Sequence, residues 1–595
     1  MRTLFYRYHI EVLILIALAL FFSTRDVSSP FDKNINSDGK GYYAYLPAVF
    51  IHHGFDYGFV EKYEEKYYLA KDDFFDFRIE TDTGIVNKYF PGVAILWLPF
   101  FLIAHLFALI FGFPPDGYSL PYQLAVEIAA IFYLWIAFKF LQKILLHYEV
   151  GRSVRILTIW ILFFGTNLYY YTVWEPSYTH VYSFAMINLF GFLIIKLSKK
   201  YRPSLMYFSA LLLGMIIITR PLNGVVLFAV PFFAGSKVGL TRFFQNIFRD
   251  KKTLAAAMFT GGLVLAAVPL LWYLQNGKLL QYTYGNERLD FLDPHLFNVL
   301  FDFRNGWLIY TPAALVSLAG FFPLHKNSHW QAYTLFLFLL VVLYSVSSWS
   351  VWWYGECFGM RPLIEFYFTI AILLSALLAA AKRLRRLFPV LLLLLAALTA
   401  LNHLQIWQLK NGVLPAKHLD RHTYCDNFLS LTPKALAYID TTEWKRVKSF
   451  FTDMESDPGW LNYASKSDEN AFSGRYASQI DSAKNRYSIG FRQPIDLKHN
   501  KQYIIVVSAM AYIDRQNTTA QLIIDFLDAD ENSLDYNAFF PDKFLRKDKW
   551  TYIEFKTSVP ETFPSDGILA VYFWDPVPGE TFYADDIRID ILEKK

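Results

Sequence analysis

The run VLILIALALFF, from Val12 to Phe22, decides the class of fold. Arg2 and Arg7 precede it, an arrangement that also occurs in secretory signal peptides. No small-residue cleavage site follows the run, so we interpret it as a retained first transmembrane helix. The rest of the chain agrees, because 54% of the 595 residues are hydrophobic and only 18% are charged. This composition predicts a polytopic helical membrane protein.

Apolar stretches of roughly 20 residues can cross the hydrocarbon core as helices, and we count about eleven of them. Loops rich in lysine and arginine stay on the cytoplasmic side. The loops assigned to that side are 139–155, 196–202, 237–252, a short one near Lys326, and 382–386. We therefore expect a multi-pass protein of the bacterial inner membrane, with a cytoplasmic N-terminus and a periplasmic C-terminal domain.

Two segments need the charge rule to be placed. If residues 89–113 crossed the membrane, every later loop would lie on the side opposite to the one that its charge indicates. We therefore predict that these residues form an interfacial or re-entrant pair on the outer side. Residues 205–234 lie between two inside loops and are predicted to go out and back as two short helices that meet near Arg220. An arginine at that depth usually has an anionic partner, although a headgroup contact is the alternative.

The polar segments predicted to lie outside contain the unusual residues of the chain. Their ranges are 23–88, 174–180, 276–305, 347–362 and the tail from about 410. The balance of 56 Lys and Arg against 52 Asp and Glu excludes nucleic acid as a partner. Phosphate-loop, dinucleotide and HExxH motifs do not occur, so soluble nucleotide-sugar chemistry has no support.

The composition of the chain changes at about residue 450. Short β-rich runs such as YIIVVSAM (503–510) and LAVYFW (569–574) alternate with turn residues, which is typical of an all-β sandwich. We divide the chain into a membrane domain (1–409), a linker with a helical part (410–449) and a β domain (450–595). Two segments, SGRYASQIDS from Ser473 and FYADDIRIDIL from Phe582, resemble strands of carbohydrate-binding jelly-roll modules.

Aromatic side chains of the β domain are candidates for stacking on sugar rings. The alternative is that they are ordinary core residues. The candidates are Trp460, Tyr463, Trp550 and Trp574.

The motif SDGKGYYAYLP, from Ser37 to Pro47, carries the first candidate for chemistry. It places a carboxylate, Asp38, shortly after the first transmembrane helix. Asp38 can accept a proton from an incoming hydroxyl or amine, which is the work of a general base. The structural alternative is a turn aspartate that supports the backbone before Gly39.

Four further segments follow in order: NKYFPG (87–92), TRP (219–221), FDFRNGWLIYTP (301–312) and WWYGECFGMRPL (352–363). Together with Asp38, they resemble the motifs of the GT-C superfamily of integral membrane glycosyltransferases. The resemblance is to the bacterial branch related to protein mannosyltransferases and aminoarabinose transferases. It covers roughly residues 1 to 410 and implies transfer of a sugar from a polyprenyl-phosphate carrier.

This resemblance assigns the general base to Asp38 and a donor-phosphate contact to Lys88, although the sequence departs from the family's Lys-Pro-Pro pattern. A polyprenyl-phosphate leaving group develops negative charge, so cations aimed at it lower the barrier. Arg220, Arg304 and Arg361 are the other outside cations expected to bind the donor phosphate, with headgroup anchoring as the alternative.

Acceptor or sugar hydroxyls are expected to meet polar residues of the same loops. Two carboxylates and a histidine could also hold a divalent ion, but we predict that no metal or other cofactor is required. The residues expected to bind acceptor or sugar are Tyr42, Tyr43, Glu175, His180 and Glu356.

The predicted function is sugar transfer to a lipid, glycan or protein acceptor on the periplasmic face, by direct displacement with inversion. One rival is a glycan polymerase or ligase that uses polyprenyl diphosphate donors. Another is a glycan transporter or sensor without enzymatic activity, although repeated sets of spans, common in transporters, are not visible in the sequence.

Overall fold

A computed structural model describes the chain in seventeen stretches. They are residues 2–24, 34–67, 77–285, 287–355, 357–411, 413–414, 419, 421–431, 444–455, 459–481, 485–498, 501–514, 518–541, 545, 547–560, 562–575 and 581–594. Two compact units result. The first is helical and holds most residues up to Lys410, and the second holds the β-rich part from His422 onward.

The helical unit is built from long apolar helices joined by short ones. Its first helices are α1 (Arg2–Thr24), α2 (Asp38–Phe50), α3 (Phe59–Tyr67), α4 (Gly92–Phe111), α5 (Leu120–His147), α6 (Arg152–Phe164), α7 (Leu168–Val173), α8 (His180–Lys199), α9 (Pro203–Thr219), α10 (Val230–Phe233) and α11 (Lys237–Phe248). The remaining ones are α12 (Lys251–Leu265), α13 (Ala267–Asn276), α14 (Leu296–Phe301), α15 (Trp307–Tyr310), α16 (Pro312–Leu318), α17 (Phe321–Asn327), α18 (His329–Ser347), α19 (Phe368–Arg383) and α20 (Leu387–Lys410).

Seven of these helical segments, counted within the described stretches, are long and apolar enough to cross a membrane, or eight if one bent pair is one span. The predicted first transmembrane helix is among them, as Tyr6–Thr24. The predicted number of about eleven is therefore not reached, because several apolar stretches are broken into helices shorter than the hydrocarbon core. Pro203–Thr219 is such a short apolar helix.

The pair of helices predicted for residues 89–113 is not present. In place of an interfacial or re-entrant pair, the structure has α4, one continuous helix of 20 residues despite Pro99 in its middle. A helix of that length rises about 30 Å, enough to cross the hydrocarbon core. The charge rule concerns only the side on which a loop lies, so it could not distinguish one helix from a pair.

The break predicted near Arg220 is present. Helix α9 ends at Thr219, Arg220 has an extended backbone, and a 3₁₀ helix (Pro221–Ala229) follows at once. Proline supplies no amide proton and disfavours helical conformation in the residue before it, so Thr-Arg-Pro ends the helix at this point. Arg220 thus sits at the junction of two helical segments.

The second unit is an antiparallel β sandwich, as predicted, preceded by one short helix, α21 (Arg421–Asn427). Its first strand begins at Trp444, slightly ahead of the predicted start of the domain. The strands are β3 (Trp444–Thr452), β4 (Trp460–Leu461), β5 (Lys466–Ser467), β6 (Ala477–Asp481), β7 (Gly490–Pro494), β8 (Tyr503–Ile513), β9 (Gln521–Leu527), β10 (Ser533–Phe539), β11 (Thr551–Ser558), β12 (Ile568–Trp574) and β13 (Thr581–Lys594). The two remaining strands of the chain, β1 (Arg78–Thr81) and β2 (Gly84–Asn87), form a hairpin in the helical unit.

The sandwich consists of two sheets, with strand orders β10-β9-β12-β7-β4 and β11-β8-β13-β6-β5, and β3 also pairs with β13. Alternate residues of β8, such as Ile505 and Val507, point into the core. Residues of β9 such as Ile524 and Phe526 meet them from the other sheet. This period of two is what a strand with one buried face requires.

Candidate active site

Helix α2 holds Asp38 at its first residue, and the backbone just before it is unusual. Ser37 has φ 45° and ψ −130°, a region that a residue with a side chain rarely occupies. Such conformations persist where the surroundings enforce them and often occur at functional sites. Gly39 packs closely behind: a Cβ atom there would lie 2.1 Å from Ser177 Oγ. The SDG segment is therefore fitted tightly against the turn that contains Ser177.

The Asp38 carboxylate is bound from two sides. The Tyr89 hydroxyl donates a hydrogen bond of 2.8 Å to Oδ1, and Arg361 Nη1 forms an ion pair of 2.8 Å with Oδ2. Burial raises the pKa of Asp38, but the Arg361 charge and the hydrogen bonds from Tyr89 and Arg361 outweigh it and hold the pKa below its ordinary value. Asp38 is therefore a carboxylate at neutral pH.

The β1–β2 hairpin delivers Lys88 and Tyr89 to the same place. Asn87, the last residue of β2, donates its side-chain amide to the Gly41 carbonyl of α2 at 2.8 Å, which ties the hairpin to the helix. The Lys88 ammonium forms a 2.7 Å ion pair with Glu287 and lies 5.5 Å from the centre of the Tyr284 ring. Lys88 is thus held by a loop that follows α13.

Arg220 at the helix junction belongs to a buried three-residue network. Its Nη1 lies 3.0 Å from Glu365 Oε1, and Nδ1 of His180 lies 3.0 Å from the same oxygen. The Arg220 guanidinium also stands 5.3 Å from the Tyr354 ring. The sequence left two alternatives for Arg220, an anionic partner or a contact with lipid headgroups. The structure has the anionic partner, the buried carboxylate of Glu365.

Arg361 and Glu365 come from one short element, the 3₁₀ helix Arg361–Phe366. Arg361 is its first residue and stands 4.6 Å from the Tyr178 ring in addition to pairing with Asp38. One turn further on, Glu365 pairs with Arg220. This element therefore links the Asp38 side of the site to the Arg220 side.

These groups surround one cavity of about 740 Å³ in the helical unit. Lys88, Arg220 and Arg361 line it in ion pairs with Glu287, Glu365 and Asp38, Arg288 is a fourth cation of the wall, and much of the remainder is aromatic or apolar. The residues that line the cavity include Asp38, Tyr42, Lys88, Tyr89, His180, Arg220, Tyr284, Glu287, Trp349, Tyr354 and Arg361. The cavity thus contains Asp38, Lys88, Arg220, Arg361, Tyr42 and His180 from the predicted set.

Other predicted residues lie elsewhere. Tyr43 is 1% exposed, donates to the Gly117 carbonyl at 2.6 Å and packs among aromatic rings, so it is a packing residue. Arg304 stacks at 4.4 Å on Trp353 and is not among the residues that line the cavity. Glu356 lies outside the described residues.

Glu175 also lies outside the cavity wall. Its carboxylate pairs with Lys410 at 2.8 Å and accepts a hydrogen bond from the Asn36 side chain at 3.0 Å. Asn36 lies two residues before Asp38, so Glu175 supports the segment that leads into α2. The Glu175 carboxylate, which was expected to bind an acceptor hydroxyl, thus binds the side chains of Lys410 and Asn36.

The aromatic candidates of the β unit differ in how far their side chains are exposed. Trp460 is 6% exposed and belongs to the core between the sheets, so its ring is not presented to a ligand. Trp550 and Trp574 are half-buried. Trp550 donates to Asn470 at 3.3 Å and lies beside Tyr512 and Phe472. Tyr463 is exposed.

The cavity contains partners that the sequence analysis missed, chiefly Glu287, Glu365 and Tyr89. Glu365 carried a usable signal, since it is a carboxylate in the apolar run that follows Arg361, and a buried charge of that kind needs a partner. Tyr89 and Glu287 lie in polar segments with many similar residues, so their roles emerge only from the folded chain. Within the described stretches, no group of three or more His, Cys, Asp or Glu is arranged to hold a metal ion.

No protein-family model and no curated protein matches this sequence. Among solved structures, the chain is similar to that of the arabinosyltransferase EmbB from Mycobacterium smegmatis. The likeness covers 98% of this chain and 64% of EmbB, with 10% identity and a TM-score of 0.41. The present chain thus spans somewhat less than two thirds of the length of that protein.

The β unit has further likenesses to carbohydrate-binding modules. A family 16 module is 23% identical over 22% of this chain and 90% of the module, with a TM-score of 0.17. The xylan-binding CBM22-1 domain of Paenibacillus barcinonensis Xyn10C is 12% identical over 27% of this chain and 88% of the domain, with a TM-score of 0.16.

Proposed function

We propose that this protein is a membrane glycosyltransferase that moves a sugar from a polyprenyl-phosphate carrier to an acceptor hydroxyl. The observation that carries the proposal is the position of Asp38: an ionised carboxylate in the wall of a cavity that Lys88, Arg220 and Arg361 also line. A base and several cations around one enclosed space are what a transfer with an anionic leaving group needs.

The donor phosphate would bind among the three cations. Each of them is paired with a carboxylate in the structure described here, so the phosphate would exchange one anionic partner for another. Guanidinium groups bind phosphate through paired N–H donors. The aromatic and apolar remainder of the wall suits the prenyl chain and the faces of a sugar ring.

The reaction would be a single displacement. The acceptor O–H gives its proton to the Asp38 carboxylate while the acceptor oxygen forms a bond to the anomeric carbon. The bond from that carbon to the phosphate oxygen breaks, and its electron pair leaves with the polyprenyl phosphate. Attack from the side opposite the leaving group inverts the configuration at the anomeric carbon.

The Asp38–Arg361 pair would make the base respond to the donor. Arg361 lowers the pKa of Asp38 when the two are paired. A phosphate that draws Arg361 towards itself would weaken that effect, and the pKa of Asp38 would rise. Because a stronger base accepts the acceptor proton more readily, donor binding would activate Asp38.

We also propose that the acceptor is reached on the periplasmic side of a bacterial inner membrane, and that the β unit binds glycan there. Loops rich in lysine and arginine support this orientation. The likeness of the β unit to carbohydrate-binding modules is in keeping with a glycan ligand. The proposed acceptor is a hydroxyl of a lipid, a glycan or a protein.

The deciding experiment is sugar transfer in membranes that are supplied with radiolabelled polyprenyl-phosphate sugars. Wild type is compared with Asp38→Asn, and with Asp82→Asn as a control, because Asp82 is an exposed carboxylate in the β1–β2 hairpin. We expect Asp38→Asn to lose transfer by about 10³-fold or more, since a base contributes 10² to 10⁴, while Asp82→Asn keeps it.

The rival functions predict other results. A polymerase or ligase would transfer whole glycans from a polyprenyl diphosphate and not single sugars from a monophosphate. A transporter or sensor would give no labelled product, and its glycan binding would depend on the β unit while Asp38→Asn had no effect. Equal transfer by the wild type and Asp38→Asn would exclude Asp38 as the base.

A further inference from the structure

A second cavity, of about 390 Å³, lies at the other end of the helical unit. Helix α8 connects the two: it begins at His180, in the wall of the first cavity, and ends at Lys199, in the wall of the second. Twenty helical residues span about 30 Å, which is the thickness of the hydrocarbon core of a bilayer. The second cavity is therefore about one bilayer thickness away from Asp38.

Basic side chains from three helices line the second cavity. The Lys199 ammonium, near the end of α8, donates to Nδ1 of His147 at the end of α5, at 3.1 Å. Arg242 of α11 completes the set and makes no hydrogen bond or ion pair with any residue in the described part of the chain. Glu149 is the one carboxylate among the residues that line it. The wall is therefore built for an anion.

The surface around the second cavity is also positively charged. Segments 196–202 and 237–252 together contain nine lysines and arginines and one acidic residue, Asp250. Lys237 and Arg242 lie in the first half of α11, where a positive charge is unfavourable against the helix dipole. An anion near Ser236, the N-cap of α11, would offset this cost, because the free N–H groups of a helix start attract negative charge.

Helix α11 has the character of a helix that lies on a membrane surface. The chain bends by 118° between the segment Pro221–Phe233 and α11. Three large apolar side chains of α11, Val238, Phe244 and Phe248, are between 47% and 61% exposed. Exposed apolar residues on a helix that also carries basic ones are typical of interfacial amphipathic helices. The cavity under α11 would thus open at the level of lipid headgroups.

We infer that this second cavity, formed by His147, Lys199, Ser236 and Arg242, is a binding site for the phosphate of an anionic phospholipid. Lys199 and Arg242 contact the phosphate, Ser236 and the start of α11 add N–H and O–H donors, and the acyl chains lie against the exposed apolar side of α11. Basic pockets between transmembrane helices bind such headgroups in other membrane proteins.

The test uses the full-length protein in detergent and measures bound lipid by native mass spectrometry, with phosphatidylglycerol and phosphatidylcholine as probes. The double variant Lys199→Gln/Arg242→Gln is compared with Arg385→Gln/Arg386→Gln, which removes the same charge from the exposed turn before α20. We expect wild type and control to prefer phosphatidylglycerol. The pocket variant should lose about tenfold or more in that affinity, equivalent to 1.4 kcal/mol or more, with phosphatidylcholine unchanged.

Three results would overturn the proposal. Equal losses in both double variants would show that general surface charge, and not the cavity, attracts the lipid. The absence of any preference for phosphatidylglycerol would exclude an anionic headgroup site. Displacement of bound phosphatidylglycerol by inorganic phosphate or glycerol phosphate at millimolar concentration would show that the ligand is a soluble phosphate.

Discussion

Glu365 holds two groups of the cavity wall with one oxygen, since Arg220 and His180 both contact its Oε1. The side chain is fully buried. A buried charge that loses its partner is costly, about 3 to 5 kcal/mol in comparable cases, because the remaining charge has no water around it. Under the proposed function, Glu365 is therefore a positioning residue, which would act on the donor through Arg220.

Glu365→Ala should lower the stability of the protein by about 3 kcal/mol and reduce kcat/KM for the donor. Glu365→Gln keeps an oxygen in place and should retain the fold, while KM for the donor rises because Arg220 is less well held. Thermal unfolding in detergent and steady-state transfer kinetics separate the two effects. If Glu365→Gln left KM unchanged, Arg220 would not depend on Glu365 for its position.

The ion pair between Lys88 and Glu287 would compete with the proposed donor phosphate for the Lys88 ammonium. Glu287→Gln removes that competition, so we expect KM for the donor to fall by about threefold to fivefold, in line with the worth of a partly exposed ion pair. Lys88→Gln should raise KM for the donor. Donor kinetics of the two variants check this, and an unchanged KM in both would remove Lys88 from the donor site.

The low pKa of Asp38 makes a prediction about pH. A base works when deprotonated, and the pKa of Asp38 lies below its ordinary value in the free protein. We therefore expect kcat/KM to stay level from pH 7 down to about 5 and to fall only below it. A loss of kcat/KM between pH 7 and 6 would point to another base.

At the scale of the elements, the site depends on where α4 starts. Gly92, its first residue, packs so closely on the end of α9 that a Cβ atom there would lie 2.4 Å from the Thr219 backbone nitrogen. Arg220 follows Thr219 directly. The register between α4 and α9 thus sets the position of Arg220 in the cavity wall.

Gly92→Val should push the two helices apart, lower the melting temperature in detergent by several degrees and reduce transfer, as expected for overpacking that costs about 1 to 3 kcal/mol. Gly262→Val is the matched control, because it adds the same side chain to a helix at a place with no neighbour within 4 Å. Equal stability of the two variants would contradict the role of the α4–α9 contact.

Some of these elements could be predicted from the sequence and others could not. The Thr-Arg-Pro triplet predicted the helix break at Arg220 because proline acts locally on the chain. It did not predict that α4 is a single helix, because the choice between a straight span and a re-entrant pair depends on packing against other helices. For the same reason, Asp38 and Arg361 were both candidates, but their 2.8 Å ion pair could not be deduced.

At the scale of the whole molecule, the β unit has a core of its own. Strand β13 is central to it, since it pairs with β8 on one side and with β3 and β6 on the other. The alternation of apolar residues in β8 and β9 made the sandwich predictable from the sequence. The pairing of strands that are far apart in the chain was not predictable.

A fragment of residues 441–595 should therefore fold alone and unfold in one cooperative transition, as small domains do. The same fragment without residues 581–595 should be unfolded, because it lacks β13. Circular dichroism during heating measures both. A gradual transition in the longer fragment would show that the β unit depends on the helical one.

The three ion pairs of the first cavity have one more consequence, for selectivity. Since Lys88, Arg220 and Arg361 are each paired with a carboxylate, these pairs add little net charge to the wall, and a small anion such as chloride or sulfate gains little by breaking one of them. Only a ligand that brings further binding energy can displace a carboxylate, and a long prenyl chain supplies it through apolar contact. The protein would thus be insensitive to the inorganic anions that surround it and respond to phosphate only when a lipid carries it.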